Sequence, residues 1–160
     1  MTFDNRAFRN ALGSFPTGIA VITAEGVSAP MGITVNSFTS VSLDPPLVLW
    51  CLDKKSDRFP IFTAAPHYVI SILGTEHKEV SSRLAKQGQH SLEGIELLPT
   101  KSGLPALADA IAVFECAHHA VHDAGDHAVL IGRVENFFCH DAGAPLVFYR
   151  GKYGALAQTA

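Results

Sequence analysis

The chain has few charged residues and no excess of basic ones. Charged residues make up 17% of its 160 positions, and the formal net charge at pH 7 is −3. Nonspecific binding to nucleic acid depends on clustered Lys and Arg side chains that release counterions from the phosphates. The composition therefore argues against a nucleic-acid-binding protein, and any anion that the chain binds must be held by a few local residues.

Long apolar runs and closely spaced cysteines are also missing. No run approaches the ~18 apolar residues that a membrane span needs, and residues 1–10 mix charges with aromatics rather than forming the apolar core of a signal peptide. The three cysteines, Cys51, Cys116 and Cys139, are too widely spaced to indicate a disulfide framework or a metal site. We expect a soluble cytoplasmic protein with reduced thiols and no membrane segment.

Signature motifs of several enzyme classes are absent. The sequence contains no G-x-G-x-x-G or Walker-type phosphate loop and no G-x-S-x-G nucleophile elbow. His118, His119 and His122 are close in sequence, but adjacent strand residues face opposite sides and no second ligand motif accompanies them, so we expect no metal. This pattern is compatible with an enzyme whose chemistry is supplied by organic cofactors.

Short β-type segments dominate what is present. Stretches rich in β-branched and apolar residues, bounded by turn residues, predict strands at 17–24, 31–42, 47–52, 67–73, 110–121, 127–138 and 145–149. Helical spacing is confined to 3–13, 56–65 (with Ser56 or Asp57 as N-cap) and 76–86. Residues 88–109 read as loops with at most a short strand at 95–98. Without a repeat or linker, residues 1–160 are expected to form one mainly β domain, a barrel with peripheral helices.

A line of polar side chains interrupts the second predicted strand. Thr34, Asn36 and Ser37 lie within an otherwise strand-like segment that ends at Pro45-Pro46. Buried polar groups cost roughly 1–3 kcal/mol each unless they are hydrogen-bonded. Such a line suits a ligand with many donors and acceptors, as a flavin ring has. An edge strand with its hydroxyls facing water explains the pattern equally well at this point.

Two further clusters could contact a ligand. Lys54-Lys55-Ser56-Asp57-Arg58 combines cations and a hydroxyl just before a predicted helix, an arrangement that suits a phosphate, although Asp57 opposes that charge. Gly125-Asp126-His127 sets a carboxylate beside an imidazole at a strand start, where it could orient the ring toward a ligand. A solvated charged turn and a surface histidine are the alternative interpretations.

Taken in this order, the motifs resemble the flavin reductases with the FMN-binding split β-barrel, the reductase components of two-component flavin monooxygenases. The resemblance rests on FRNALGSFPTGIAVIT (8–23), MGITVNSFTSVSLDPPLVLWCLDKKS (31–56), GLPAL (103–107), AVFECAHHAVHDAGDHAVLIGRV (112–134) and APLVFYRGKY (144–153). It covers nearly the whole chain and implies a split barrel with Greek-key-like connections.

The resemblance also implies roles for individual residues. Those implied to line the flavin ring and ribityl chain are Ile33, Thr34, Asn36 and Ser37. Those implied to hold the ribityl-phosphate are the backbone at Cys51 and Leu52, the side chains of Lys54 and Ser56, and Arg83 on the third helix. His127 is the implied catalytic residue beside flavin and nicotinamide, and Tyr153 closes the pocket. Two positions depart from the family: Arg58 replaces a common hydroxyl, and Leu92 replaces a common aromatic.

The implied activity is reduction of free FMN or FAD by NADH or NADPH, with the reduced flavin passing to a partner monooxygenase. The family implies a homodimer with flavin near the subunit interface. No Arg cluster is assignable to a 2′-phosphate, which favours NADH, whereas FMN and FAD are not distinguished. Two alternatives stay open: a flavin-binding or electron-transfer protein without reductase turnover, and a related split-barrel FMN oxidase with another substrate.

Overall fold

A computed structural model describes residues 3–140 and 143–156. The helices are α1 (Asn5–Leu12), α2 (Phe59–Ala64) and α3 (Lys78–Leu84), the last preceded by a 3-10 turn at Thr75–His77. The strands are β1 (Thr17–Gly18), β2 (Ala20–Ala24), β3 (Met31–Val35), β4 (Thr39–Leu43), β5 (Pro46–Asp53), β6 (His67–Ile72), β7 (Leu97–Pro99), β8 (Pro105–Leu107), β9 (Ala112–Ala124), β10 (His127–Cys139), β11 (Leu146–Tyr149) and β12 (Lys152–Ala155). Among these residues, no helix has the length and apolar character needed to cross a membrane.

Seven antiparallel strands form the main sheet, in the order β3-β2-β6-β9-β10-β5-β4. The long β9–β10 hairpin lies at its centre, and β5 pairs with β10 rather than with β6, its next neighbour in sequence. The outer strands β3 and β4 are not hydrogen-bonded to each other in the sheet. The sheet is therefore an open, split barrel, and the predicted mainly β fold class is confirmed.

The largest buried side chains lie in the core that this sheet encloses. Trp50 on β5 contacts Phe62 of α2 and Tyr68 of β6 edge to face, with ring centroids 5.5 and 5.7 Å apart. Ile33 of β3 and Val48 of β5 belong to the same core, although their strands lie near opposite ends of the sheet order. One apolar core thus joins the two ends of the sheet. Burial of these apolar side chains stabilises the curled form of the sheet, in which its two ends approach each other.

Several element boundaries differ from those predicted. The predicted strand 31–42 is divided into β3 and β4, because residues 36–38 leave the extended pairing. The second predicted helix begins at Phe59 with Arg58 as N-cap and without a side-chain cap, so the assignment of Ser56 or Asp57 as its N-cap was wrong. Helix α1 is capped by Asp4, whose carboxylate accepts hydrogen bonds from the backbone N–H groups of Arg6 and Ala7. Strand β8 was not predicted at all.

Candidate functional site

A pocket of about 480 Å³ opens between the end of β3, the end of β5, the turn that follows β5, and the start of β10. This volume lies within the roughly 300–1,000 Å³ of typical small-molecule sites. Eight of the sequence-predicted site residues line it: Ile33, Thr34, Asn36, Ser37, Cys51, Leu52, Ser56 and His127. These residues come from strands that are distant in sequence, and the sheet order brings them together.

The polar side chains at the end of β3 and just after it differ in their partners: two form hydrogen bonds within the protein, and one faces the pocket. Thr34 Oγ1 donates to the Ser81 carbonyl oxygen over 2.9 Å and so ties β3 to α3. Ser37 Oγ accepts a hydrogen bond from the Cys51 backbone N–H over 2.8 Å, which ties the segment to β5. Asn36 is exposed in the pocket wall. Its amide offers both donors and an acceptor to a ligand.

The turn after β5 separates the two neighbouring lysines. Lys55 and Ser56 line the pocket, whereas Lys54 does not. The Lys54 ammonium instead lies 2.5 Å from Asp123 Oδ2 and 2.6 Å from the Gly125 carbonyl oxygen, at the tip of the β9–β10 hairpin. Lys54, which the family resemblance placed at the phosphate, therefore does not line this pocket, whereas its neighbour Lys55 does.

Arg58 is a wall residue whose role the sequence did not reveal. It is 2% exposed, lines the pocket, and donates from Nη1 to the Leu84 carbonyl oxygen over 2.7 Å and from Nη2 to the Lys86 carbonyl oxygen. Asp57 Oδ1 lies 3.5 Å from its Nε. Burial lowers the pKa of Arg58, and the charge of Asp57 partly offsets this effect.

Arg83 and Tyr153 lie outside this pocket. Arg83 Nη2 donates to the carbonyl oxygens of Ser91 and Glu93, so this guanidinium holds the loop after α3. Tyr153 Oη lies 3.0 Å from Ser81 Oγ and lines a smaller adjoining pocket of about 180 Å³ that shares Thr34 and Asn36 with the main one. The implied closing position of Tyr153 is thus adjacent to the main pocket, whereas Arg83 faces another surface.

His127 stands at the pocket rim, opposite Asp53 in the β10–β5 register. Its Nδ1 lies 2.7 Å from Asp126 Oδ1. The hydrogen bond and charge of His127 hold the pKa of Asp126 below its usual value, so that carboxylate is ionised at neutral pH. With Nδ1 engaged by Asp126, Nε2 is the ring atom available to a ligand.

Other wall residues were missed by sequence reasoning. Ala85 and Gln87 line the pocket from the loop after α3, where no periodic pattern marks a side chain as facing a ligand. Leu92 does not line it and packs in an apolar cluster with Leu84, so the aromatic-to-leucine departure lies away from this site. No group of three or more His, Cys, Asp or Glu that could hold a metal occurs among residues 3–140 and 143–156.

Comparison with known proteins identifies the family. Residues 12–157 match the model of the flavin reductase like domain. The chain belongs to this flavin reductase family. This result confirms the family predicted from the ordered motifs.

The most similar relatives include reductases of named reactions. The chain is similar to the FMN reductase (NADH) SmoA of Agrobacterium fabrum, with 42% identity over 97% of this chain and 88% of that protein. It is 38% identical to the flavin-dependent monooxygenase reductase subunit HsaB of Mycobacterium tuberculosis, over 94% of this chain and 81% of that protein. Some relatives are longer: the chain spans 59% of the stachydrine N-demethylase reductase subunit Stc3 of Rhizobium meliloti, at 44% identity.

Solved structures agree on the fold. The NADH:FAD oxidoreductase SgcE6 of Streptomyces globisporus superposes with a TM-score of 0.91 at 33% identity, and the match covers 100% of this chain and 99% of that one. The split-barrel architecture is thus shared along the full length of a reductase of this family.

The residues of the pocket fit a flavin nucleotide. Its wall combines apolar surface with hydroxyl, amide, ammonium and carboxylate groups at separate positions. A flavin needs both kinds of surface, because its ring system is flat and largely apolar whereas its edge, ribityl chain and phosphate form hydrogen bonds. Lys55 and Ser56 are the pocket residues suited to the phosphate.

Proposed function

We propose that this protein is an NAD(P)H:flavin oxidoreductase that reduces free FMN or FAD and supplies the reduced flavin to a partner monooxygenase. The observation that carries the proposal is the pocket between β3, β5 and β10 in a chain of the flavin reductase family. When bound there, the flavin supplies the hydride-accepting chemistry, and the nicotinamide supplies the hydride. The protein's own residues contribute binding, orientation and exclusion of water.

Different wall residues would perform different tasks in binding. We infer that Asn36 binds the polar edge or ribityl chain of the flavin, and that Lys55 and Ser56 bind its phosphate. Ser37 acts indirectly, because its hydroxyl fixes the β5 backbone at Cys51. The backbone of β5 at Cys51 and Leu52 forms part of the pocket wall, and the side chains of Ile33 and Leu52 are buried in the core beneath it.

His127 is the residue that we propose to act on the nicotinamide and flavin together. When the Nδ1–H group donates a hydrogen bond to the Asp126 carboxylate, the neutral ring offers Nε2 as an acceptor, and the protonated ring offers it as a donor. Both forms can orient a carboxamide or a carbonyl at the pocket rim. The role is to position the reacting partners, since hydride transfer itself needs no protein base.

We further propose that the protein is a homodimer, that residues 1–160 form one domain, and that it works in the cytoplasm. Support for the dimer comes from the apolar face of α1, where Phe8 is 50% and Leu12 is 59% exposed. Large exposed apolar side chains in a contiguous region favour association. Sedimentation velocity at micromolar concentration tests this, and a monomer would contradict it.

Oxidation of NADH and NADPH, followed by loss of nicotinamide absorbance, tests the proposed reaction. Purified protein is assayed alone and with FMN, FAD or riboflavin. We expect fast oxidation that requires added flavin and prefers NADH, the donor named for the similar FMN reductase (NADH) SmoA. A bound flavin that neither nicotinamide reduces would instead indicate a flavin-binding or electron-transfer protein without reductase turnover.

Two results would contradict the proposal. Tight FMN binding together with oxidation of a substrate other than NADH or NADPH would favour the related split-barrel oxidase. Absence of flavin binding would remove the assignment of the pocket. Addition of a cognate monooxygenase, with product formation measured against reductase concentration, tests the supply of reduced flavin to a partner.

A further inference from the structure

The side chain of Lys54 bridges two elements that meet at the pocket rim. It leaves the turn after β5, and its ammonium contacts the Asp123 carboxylate at 2.5 Å and the Gly125 carbonyl oxygen at 2.6 Å. The backbone adds a third bond, from the Lys54 N–H to the Asp126 carbonyl oxygen over 3.0 Å. Every one of these contacts is made to the tip of the β9–β10 hairpin, between residues 123 and 126.

That tip is the segment that carries His127 to the pocket. His127 is the first residue of β10 and pairs with Ala124 across the hairpin and with Asp53 on β5. Asp126, the partner of its imidazole, lies within the tip itself. The position of the imidazole therefore depends on the position of the tip relative to the end of β5. Lys54 bridges the tip and the end of β5.

Other contacts hold this tip only weakly. Strand β6 pairs with β9 no farther than Ala117, and the His118 N–H adds one bond to the Pro66 carbonyl oxygen over 2.8 Å. Beyond this point, within the part of the chain that the structure describes, β9 pairs only with β10. Residues 121–126 are exposed. The tip is thus a hairpin end supported on one side by β5, and local opening at such ends costs little free energy.

The same contacts remove Lys54 from the pocket. Its ammonium has a carboxylate partner, and the hydrogen bond and charge of Lys54 hold the pKa of Asp123 below its usual value, so that carboxylate is ionised at neutral pH. Lys55 lines the pocket instead. Two adjacent lysines thus face two different structures.

We propose that Lys54 is a positioning residue for His127: it fixes the hairpin tip to the end of β5 and does not bind the flavin phosphate. The inference rests on the proposed function in assigning His127 to the nicotinamide step. The two adjacent lysines then have different roles: Lys54 holds the hairpin tip, and Lys55 binds the phosphate.

The test compares Lys54→Met with Asp123→Asn. The second variant removes the other partner of the same ion pair, a residue that does not line the pocket. We expect both to raise KM for NADH or lower kcat by roughly fivefold to tenfold, and the double variant to be no worse than either single one. Lys54→Arg, which keeps the charge and the reach to Asp123, should restore most of the activity. Additive losses in the double variant would overturn the ion-pair mechanism.

Flavin affinity separates the positioning role from phosphate binding. Dissociation constants are measured for FMN and for riboflavin, which lacks the phosphate. We expect Lys54→Met to keep the wild-type preference for FMN over riboflavin, and the matched variant Lys55→Met to lose most of it. Loss of that preference in Lys54→Met but not in Lys55→Met would overturn the proposal.

Hydrogen exchange measured by mass spectrometry provides a readout that does not depend on activity. Peptides covering residues 119–129 should exchange faster in Lys54→Met and Asp123→Asn than in the wild type, whereas peptides from β6 should not change. Unchanged exchange at the hairpin would overturn the proposal even if the wild type were an active reductase. A wild type that oxidises no NADH would overturn the proposed function and leave the exchange result to decide the role of Lys54 on the hairpin.

Discussion

Arg58 Nη1 donates a hydrogen bond to the carbonyl oxygen of Leu84 over 2.7 Å, although 26 positions separate the two residues in sequence. Nη2 of the same guanidinium binds the carbonyl oxygen of Lys86. The carbonyl groups at the end of a helix lack partners within the helix, and here a buried cation satisfies them. Arg58 thereby fixes the loop that brings Ala85 and Gln87 to the pocket wall.

Replacing Arg58 by Met should therefore affect both stability and flavin binding. It leaves two carbonyl groups without their charged donor, which costs about 2–3 kcal/mol of unfolding free energy. Flavin affinity should fall as well, because the loop wall loses its support. Urea unfolding and flavin titration measure the two effects. Arg133→Met removes an exposed arginine from β10 and serves as the control; equal losses in both variants would contradict the role of Arg58.

Ser37→Ala should weaken the junction between the polar segment and β5. The Cys51 backbone N–H donates to Ser37 Oγ over 2.8 Å, and the alanine variant leaves that donor without its acceptor. We expect a loss of about 1–3 kcal/mol in unfolding free energy. Ser40→Ala, at an exposed position of β4, is the matched control and should be close to neutral. A neutral Ser37→Ala would show that the hydroxyl does not hold the junction.

Glu115 should make stability depend on pH. Burial alone would raise the pKa of Glu115, but hydrogen bonds from Asn136 and from Ser102 outweigh that effect and hold the pKa below its usual value. A carboxyl group with a lower pKa in the folded state stabilises the protein above its unfolded pKa, and this contribution is lost as the pH falls through the folded pKa.

The variant Glu115→Gln tests this dependence. Its amide nitrogen would face a donor, either the Ser102 N–H or Asn136 Nδ2, so it should be less stable than the wild type at pH 7. The difference should begin to shrink once the pH falls below the ordinary glutamate pKa, and should be lost as the pH falls through the lower pKa of Glu115 in the folded state, where the wild-type carboxylate becomes protonated. Urea unfolding at several pH values measures it, with exposed Glu96→Gln as the control. A difference that stays constant with pH would contradict ionisation of Glu115.

Gly132 should tolerate no side chain. A Cβ atom at this position of β10 would collide with the Tyr68 hydroxyl and approach Cys116 Cβ to 3.0 Å. Because Tyr68 is fully buried, Gly132→Ala should cost about 1–3 kcal/mol through overpacking. Gly154→Ala is the matched strand control, since nothing lies within 4 Å of its added Cβ. Thermal unfolding compares them, and equal melting temperatures would contradict the packing of Tyr68 on Gly132.

The features that the sequence predicted well are those fixed by local patterns. The β-branched and apolar residues of β3 and β5, bounded by turn residues, indicated strands, and the polar residues Thr34, Asn36 and Ser37 do line the pocket. The family resemblance added the sheet architecture, which no local pattern contains. Strand β8 escaped prediction because three residues beginning with Pro105 carry too little periodicity to be distinguished from a loop.

The features that the sequence missed depend on the direction of side chains outside regular elements. In the turn after β5, Lys54 and Lys55 are chemically identical, and only the position of the hairpin tip decides which of them faces the pocket. Arg58 and Arg83 donate to backbone carbonyl groups at the end of α3 and in the loop after it, and every residue has such a group. Recognising such contacts requires the tertiary structure.

The central claim, that this pocket holds a flavin which NADH reduces, is tested most directly by anaerobic mixing of NADH with protein and equimolar FMN or FAD. The visible absorbance of the flavin reports its reduction. We expect bleaching far faster than in the same mixture without protein, and slower bleaching with NADH deuterated at C4, because the transferred hydrogen comes from that carbon. Bleaching no faster than in the protein-free mixture would contradict the claim.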